Sequence, residues 1–148
     1  MTKQTGTHQK WMKLDNAAKI YPAARSRKWM ALFRVSVTLK EKVDEALLQK
    51  ALLQLVKRVP LLSYRLRRGL FWYYFDWQEA RPAVQPDARN PMLPIDLQEN
   101  GGFLFRVRCF ERRIALEVFH ALTDGTGGMT FLMTLTAEYL RLKYGKRI

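Results

Sequence analysis

The second half of the chain carries the pattern that most restricts the fold, because two runs of alternating apolar residues lie on either side of a short polar turn. Successive side chains of a β-strand point to opposite faces, so each run predicts a strand with one apolar face. The turn is predicted over residues 111–113. The apolar face comprises Phe103, Phe105, Val107 and Cys109 in the first strand and Ile114, Leu116, Val118 and His120 in the second. The pattern therefore predicts a hairpin that is buried on one side.

Three further strands are predicted upstream, over residues 29–39, 61–67 and 70–77. The first has one face that is apolar throughout, and the other two are expected to pair through a turn at Gly69. Residues 79–94 contain four prolines and are expected to form a long irregular connection, since proline cannot donate a hydrogen bond to a neighbouring strand.

Helical spacing of apolar residues predicts three helices. The first is short and covers residues 11–24, with Pro22 near its end. The second covers residues 44–59, where Asp44 is a suitable N-cap. The third covers residues 129–144 and is expected to end at the following glycine.

This order of elements predicts an α+β fold. Strands and helices are interleaved, but hairpins lie among them, which a strictly parallel, doubly wound sheet would not contain. We therefore expect two layers, with a mixed sheet covered by helices on one face.

Composition restricts the class of protein further. The chain has 148 residues, enough for one domain, and 48% of them are hydrophobic and 26% charged, which excludes disorder. A single cysteine, Cys109, excludes an intramolecular disulfide and a cysteine-based zinc cluster, and only two histidines remain for a metal site. We expect no metal, no signal peptide and no membrane span, and hence a cytoplasmic protein.

The net charge of +13 raises the possibility of nucleic-acid binding. Residues 1–28 carry seven basic residues and one acidic residue, so nearly half of the surplus lies near the N-terminus. We interpret residues 1–10 as a flexible basic tail. The aromatic residues of 71–77 could stack on bases, but they occupy both faces of a predicted strand, which favours packing. Nucleic-acid binding is therefore the less favoured interpretation.

The motif with the clearest chemical meaning follows the predicted hairpin. His120 ends an apolar strand, and Asp124 and Gly125 follow at a glycine-rich turn before a helix. A histidine held in one orientation by its own turn can act as a general base near neutral pH. From the spacing alone, a histidine that packs in the core beside an ordinary loop is the more favoured interpretation. The phosphate-binding motifs G-x-x-x-x-G-K-[ST] and G-x-G-x-x-G are absent.

The H-x-x-x-D-G at His120, Asp124 and Gly125 resembles the active-site motif of the chloramphenicol acetyltransferase-like superfamily, which includes condensation domains and alcohol acetyltransferases. Residues 11–22 are similar to the opening of bacterial alcohol acetyltransferase-like proteins, and residues 43–62 resemble the helix and R-x-P-x-L exit that follow in the same family. The resemblance runs in the same order over residues 11–145.

The resemblance implies an acyltransferase that moves an acyl group from a thioester to a hydroxyl or an amine. In that scheme His120 is the general base, Asp124 supports the loop through an arginine, and Gly125 keeps a substrate tunnel open. No tightly bound cofactor is implied, since acyl-CoA or an acyl-carrier thioester is a co-substrate.

Further site residues follow from the same resemblance. Phe119, Thr126 and Gly128 are candidates for lining the tunnel. Ser63 stands near the place where condensation-type relatives have the arginine that pairs with the motif aspartate, so Arg65 is our substitute candidate for that salt bridge.

Relatives with this opening consist of two similar lobes with the active site between them. We therefore expect residues 11–148 to form a single N-terminal acyltransferase lobe, with a second lobe or a second copy of the chain supplying the other wall. A lone lobe is expected to expose an apolar face that includes Phe119, Met129 and Met133. The alternative interpretation is a lobe of the same fold that binds a partner without catalysing a reaction.

Overall fold

The computed structural model describes residues 11–13, 32–68, 70, 73–93 and 100–145. The strands are β1 (Trp11–Lys13), β2 (Leu32–Thr38), β3 (Tyr64–Arg68), β4 (Tyr73–Trp77), β5 (Gln85–Pro86), β6 (Phe105–Phe110) and β7 (Arg113–Phe119). The helices are α1 (Glu45–Arg58) and α2 (Gly125–Tyr144), with a 3-10 turn over Pro60–Ser63.

The larger sheet has the strand order β2-β7-β6-β5. The predicted hairpin forms its centre, with β6 and β7 antiparallel and Val107 opposite Leu116. Strand β2 pairs with the other edge of β7, also antiparallel. Strand β5 runs parallel to β6, so the sheet is mixed, as predicted.

The smaller sheet has the order β1-β4-β3 and is antiparallel. Residues 11–13 were predicted to begin a helix, but they pair with β4 as a strand, and residues 14–24 of that prediction lie outside the described residues. The proposed tail over residues 1–10 and the turn at Gly69 also lie outside them.

Helix α1 begins where the sequence predicts, because the Asp44 carboxylate accepts a hydrogen bond from the Leu47 N–H at 3.0 Å. Its buried stripe consists of Leu48, Ala51, Leu52 and Leu55. This stripe packs against α2 and the apolar face of the larger sheet, and together they form the core. The Asp44 N–H also donates to the Tyr139 hydroxyl at 2.9 Å, which ties the start of α1 to α2.

Helix α2 begins four residues earlier than predicted, at Gly125 rather than Met129. Glycines are poor helix formers, so the sequence pattern favoured a loop there. The helix ends as predicted at Gly145, whose φ of +64° is the left-handed conformation that glycine adopts without strain. No helix in the described part of the chain combines the length and the apolar character needed to cross a membrane.

The other face of the larger sheet carries an ionic cluster around a fully buried carboxylate, that of Glu117 on β7. Arg34 and Arg106 lie directly opposite Glu117 on the two neighbouring strands. Arg34 donates to Glu117 Oε1 at 3.0 Å, Arg106 donates to Oε2, and Arg108 approaches Oε2 at 3.2 Å. The Met92 N–H also donates to Oε1 at 3.0 Å, so the segment after β5 covers this face.

Asp87 extends this cluster by accepting two hydrogen bonds from Arg34, at 2.6 and 3.0 Å. Burial opposes the ionisation of Glu117, but hydrogen bonds from Arg106, Met92 and Arg34 outweigh burial and hold its pKa below the ordinary value. The hydrogen bond from Arg34 likewise lowers the pKa of Asp87. Both carboxylates are therefore ionised at neutral pH.

The substitution Glu117→Gln should lower the free energy of unfolding by about 3 kcal/mol, because three arginines lose their shared counter-charge in a buried setting. Glu111→Gln is the matched control, since Glu111 is exposed at the turn of the same hairpin and should change stability by less than about 0.5 kcal/mol. Urea denaturation measures both. Equal effects of the two substitutions would show that the cluster does not stabilise the sheet.

The same variant has a pH signature. Because the folded pKa values of Glu117 and Asp87 are lowered, their stabilisation is complete above the unfolded carboxyl pKa values of about 4 and is lost as pH falls through the folded ones. As the pH falls, the free energy of unfolding should therefore decrease less steeply in Glu117→Gln than in the wild type.

Candidate functional site

His120 lies directly after β7, in a turn that brings the chain out of the sheet. The turn is closed by a hydrogen bond from the Leu122 N–H to the Phe119 carbonyl at 2.9 Å. The imidazole is partly exposed and meets the Phe33 ring edge-on, with the ring centroids 5.0 Å apart and the planes at 61°. The turn thus fixes the backbone around His120, and Phe33 contacts its imidazole ring.

Asp124 caps the helix that follows. Its Oδ1 accepts a hydrogen bond from the Gly127 N–H at 2.8 Å, and its backbone carbonyl accepts from the Gly128 N–H at 2.9 Å. The side chain therefore satisfies one of the amide groups that a helix leaves unpaired in its first turn. Asp124 fixes where α2 begins, four residues after His120.

The glycines of this turn have different surroundings. A Cβ on Gly128 would lie 2.7 Å from Cζ of Phe33, so the helix can approach the Phe33 ring only where no side chain is present. A Cβ on Gly127 would collide with the Thr123 hydroxyl. A Cβ on Gly125 would meet no atom within 4 Å, so the space beside Gly125 is open.

Phe33 is the residue that sequence reasoning missed. The alternation of β2 placed it on an apolar face but gave no indication that it contacts both His120 and the first turn of α2. Its ring lies between the two, which joins the position of the histidine to that of the helix. The sequence offers a large side chain at Phe33 and a glycine at Gly128. The contact between them can be predicted from these two residues only when the pairing of the strands is already known.

The three tunnel candidates lie in different environments. Phe119 has no exposed surface, and its side chain belongs to the core. The register of β7 with β2 places Phe119 opposite Leu32, the first residue of β2. The Phe119 N–H donates to the Leu104 carbonyl at 2.8 Å. Thr126 is exposed, and Gly128 is buried against Phe33. Phe119 was expected on an exposed apolar face, and its complete burial shows that this expectation is wrong.

The expected salt bridge between Arg65 and Asp124 does not form. Arg65 donates to Asp76 Oδ2 at 2.9 and 3.0 Å, because the two residues lie directly opposite each other on β3 and β4. Arg67 also approaches Asp76, at 3.1 Å. Within the described part of the chain, Asp124 has its cap hydrogen bond and no ion pair.

Other chemistries find little support among the described residues. They contain no group of three or more His, Cys, Asp and Glu side chains placed to hold a metal ion. Burial raises the pKa of the Cys109 thiol to about 11, so the thiol is a poor nucleophile at neutral pH.

Helix α2 presents exposed apolar residues beyond the loop. Met129 is 46% and Met133 is 56% exposed, and the two lie one turn apart on the same helix face. This part of the predicted apolar face is therefore present, whereas Phe119 does not contribute to it.

No family model matches the sequence, and no curated protein matches it either. Solved structures do match. The first condensation domain of the calcium-dependent antibiotic synthetase superposes with a TM-score of 0.73 over 92% of this chain, at 17% identity. The chain has a condensation-domain fold. The fold class expected from the resemblance, an α+β lobe of the chloramphenicol acetyltransferase-like type, is confirmed.

Two other structures extend this likeness. Polyketide synthase associated protein 5 from Mycobacterium tuberculosis matches 93% of the chain with a TM-score of 0.64 and 16% identity. The X-domain from teicoplanin biosynthesis matches 87% with a TM-score of 0.65 and 21% identity. The chain covers 40%, 34% and 32% of these three structures, so it spans about a third to two fifths of their length.

Gly125 and Gly128 provide a matched pair of substitutions. Gly128→Ala should lower the free energy of unfolding by about 1 to 3 kcal/mol, because the new methyl group displaces the Phe33 ring. Gly125→Ala should leave stability unchanged or raise it by up to about 1 kcal/mol, since the space is open and alanine favours the helix. Thermal unfolding of both variants checks this. A Gly128→Ala protein as stable as Gly125→Ala would contradict the contact.

Asp124 can be tested as a cap. Asp124→Ala should cost about 1 kcal/mol of stability, and Asp124→Asn should restore most of it, because an amide oxygen also accepts the Gly127 N–H. If the two variants were equally destabilised, the carboxylate charge and not the cap would be the source of its contribution.

Proposed function

We propose that this chain is the N-terminal lobe of an alcohol acetyltransferase-like acyltransferase, with His120 as its general base. The acyl donor is a thioester, either acyl-CoA or an acyl carrier, and the acceptor is a hydroxyl or an amine. The observation that carries the proposal is the position of His120 in a condensation-domain fold: it follows β7 directly, and Gly125, whose surroundings are open, comes five residues later at the start of α2.

The chemistry needs one base and a path for the acceptor. The lone pair of the acceptor attacks the thioester carbonyl carbon, and the imidazole of His120 takes the proton that the acceptor loses. The C–S bond then breaks, and the proton passes to the departing thiolate. A base in this role contributes roughly 10²- to 10⁴-fold to the rate.

The neighbouring residues position this base and do not touch the reacting atoms. Phe33 limits the rotation of the His120 ring through its edge-on contact. Gly128 allows Phe33 to lie against the helix, and Asp124 fixes the first turn of that helix. Gly125 leaves room for a substrate on the side that no described atom fills.

The described residues of this chain supply one wall of the proposed site. Met129 and Met133 form an exposed apolar surface on the helix that begins at the loop, and the matched structures are two and a half to three times as long as the part they share with this chain. The proposal therefore has a second lobe, or a second copy of the chain, as the partner that supplies the other wall of the site.

The His120→Ala variant of the natural gene product should lose 10²- to 10⁴-fold in kcat for acyl transfer from acetyl-CoA to an alcohol panel. The only other histidine in the chain is His8, so His8→Ala is the matched control and should retain the wild-type rate. Release of free CoA measures turnover. A His120→Ala rate close to the wild-type rate would disprove the assignment of the base.

A second candidate function is a lobe that binds a partner without catalysis. One solved structure with this fold is the complex of the X-domain and OxyB from teicoplanin biosynthesis, which shares 18% identity with this chain over 88% of its length. That domain is captured in a complex with another protein. Failure of the wild-type gene product to release CoA from any acyl-CoA, together with a stable protein complex, would favour this candidate.

Three of the described arginines are unavailable for nucleic-acid binding. Arg34, Arg106 and Arg108 are paired with Glu117, and Arg34 also with Asp87, inside the fold. A phosphate backbone needs cations that are free to replace counterions.

A further inference from the structure

Three large apolar side chains are exposed on the face of the larger sheet that carries the ionic cluster, which we call the outer face. Phe110 is 61% exposed, and the alternation of β6 places it on the same face as Arg106 and Arg108. Leu93 is 53% and Met92 is 38% exposed, and both belong to the segment whose backbone is hydrogen-bonded to the cluster. Exposed apolar side chains that are grouped on one face are typical of an interaction surface.

The outer face also carries more positive than negative charge among the described residues. Its acidic groups are two carboxylates, those of Asp87 and Glu117. Its basic groups are five arginines, of which all but Arg89 pair with these carboxylates: Arg34, Arg89, Arg106, Arg108 and Arg113. Five positive charges against two negative charges leave a surplus of three.

Two of these arginines are open to solvent. The Arg113 side chain is 51% exposed and lies directly opposite Phe110 on the neighbouring strand. Arg89 is exposed and lies in the covering segment, between Asp87 and Met92. The uncompensated charge of the cluster beneath adds to the positive field that these two cations produce.

The adjoining turns do not cancel this surplus. Glu111 lies 3.5 Å from the Lys42 ammonium, and Glu41 is paired with Lys143 at 2.8 Å. Arg112, next to Glu111, is exposed. The acidic residues at the start of α1 belong to the helix layer, on the other side of the sheet.

This combination of charge and apolar side chains favours an anionic membrane surface over other partners. A second copy of the chain would bring one positive face against another. A nucleic acid would stack its bases on aromatic rings, but Phe110 is the one aromatic ring exposed on the described part of this face. Anionic lipids attract cations, and the boundary between their headgroups and acyl chains accepts apolar side chains.

We propose that the outer face docks onto a bilayer that contains anionic lipids. Phe110 and Leu93 enter the boundary region, while Arg89 and Arg113 lie at the level of the headgroups. His120 follows the other end of β7, roughly 20 Å from Arg113 along the strand, so this surface is separate from the proposed catalytic site.

Sedimentation with lipid vesicles measures this binding for the natural gene product. We expect the wild type to bind vesicles made of equal amounts of phosphatidylserine and phosphatidylcholine. Vesicles of phosphatidylcholine alone should bind about 25-fold more weakly, since two exposed cations contribute about fivefold each. Binding should also weaken as salt is added, because salt screens exposed charges.

Two variants test the surface itself. Arg89→Gln/Arg113→Gln should bind the phosphatidylserine vesicles about 25-fold more weakly than the wild type. Phe110→Ser should bind them about tenfold more weakly, because its side chain no longer transfers apolar surface out of water. Thermal unfolding verifies that both variants remain folded.

Matched controls carry the same changes elsewhere. Lys57→Gln/Arg81→Gln removes two exposed cations beside the end of α1, and Leu70→Ser removes an apolar side chain that is 88% exposed before β4. Both should bind as the wild type does, and so should His120→Ala, which makes this test independent of the proposed catalysis. Every variant retains the basic residues of 1–28, so their contribution is common to all.

Equal affinity of the wild type and a folded Arg89→Gln/Arg113→Gln would overturn the proposal, and so would equal binding to the two kinds of vesicle. Absence of vesicle binding, together with binding of a DNA duplex that the same double variant weakens, would overturn it in favour of a nucleic-acid surface.

Discussion

The carboxylate of Glu117 is the group on which the arrangement of the larger sheet depends most. It lies on the central strand without solvent contact and receives hydrogen bonds from the strand on each side and from the Met92 N–H. A buried charge of this kind is tolerated only when it is well paired, so β2, β6 and β7 must keep their register to stabilise it. Because β7 leads into His120, the cluster also fixes where the histidine leaves the sheet.

A second set of contacts fixes the position of His120 relative to the start of α2. The Phe33 ring lies between His120 and Gly128, and the Asp124 cap begins α2 immediately beside them. The strand, the ring and the helix end therefore constrain one another. The space beside Gly125 is open, and the proposed function has the substrate approach the histidine through it.

The elements that depend on local chemistry could be predicted from the sequence. The Asp44 cap and the leucine stripe of α1 act within one helix, and the alternation in β6 and β7 acts within one hairpin. The end of α2 at Gly145 also follows from the residue itself. These predictions are confirmed because short-range interactions decide them.

The features that depend on distant partners could not be predicted. Strand β5 contains a proline and forms only because β6 offers a parallel edge. Arg65 was assigned to Asp124, but the register of β3 and β4 places Asp76 next to it. The first turn of α2 was missed because its glycines disfavour a helix, while the Asp124 cap and the contact with Phe33 stabilise one.

The central claim is that His120 faces a thioester substrate in the space beside Gly125. The most direct measurement is a titration of the natural gene product with acetyl-CoA, followed by NMR of histidines labelled with 15N. The account predicts a saturable change in the imidazole resonances of His120 and none in those of His8. Saturable binding of acetyl-CoA that leaves the His120 resonances unchanged would contradict it.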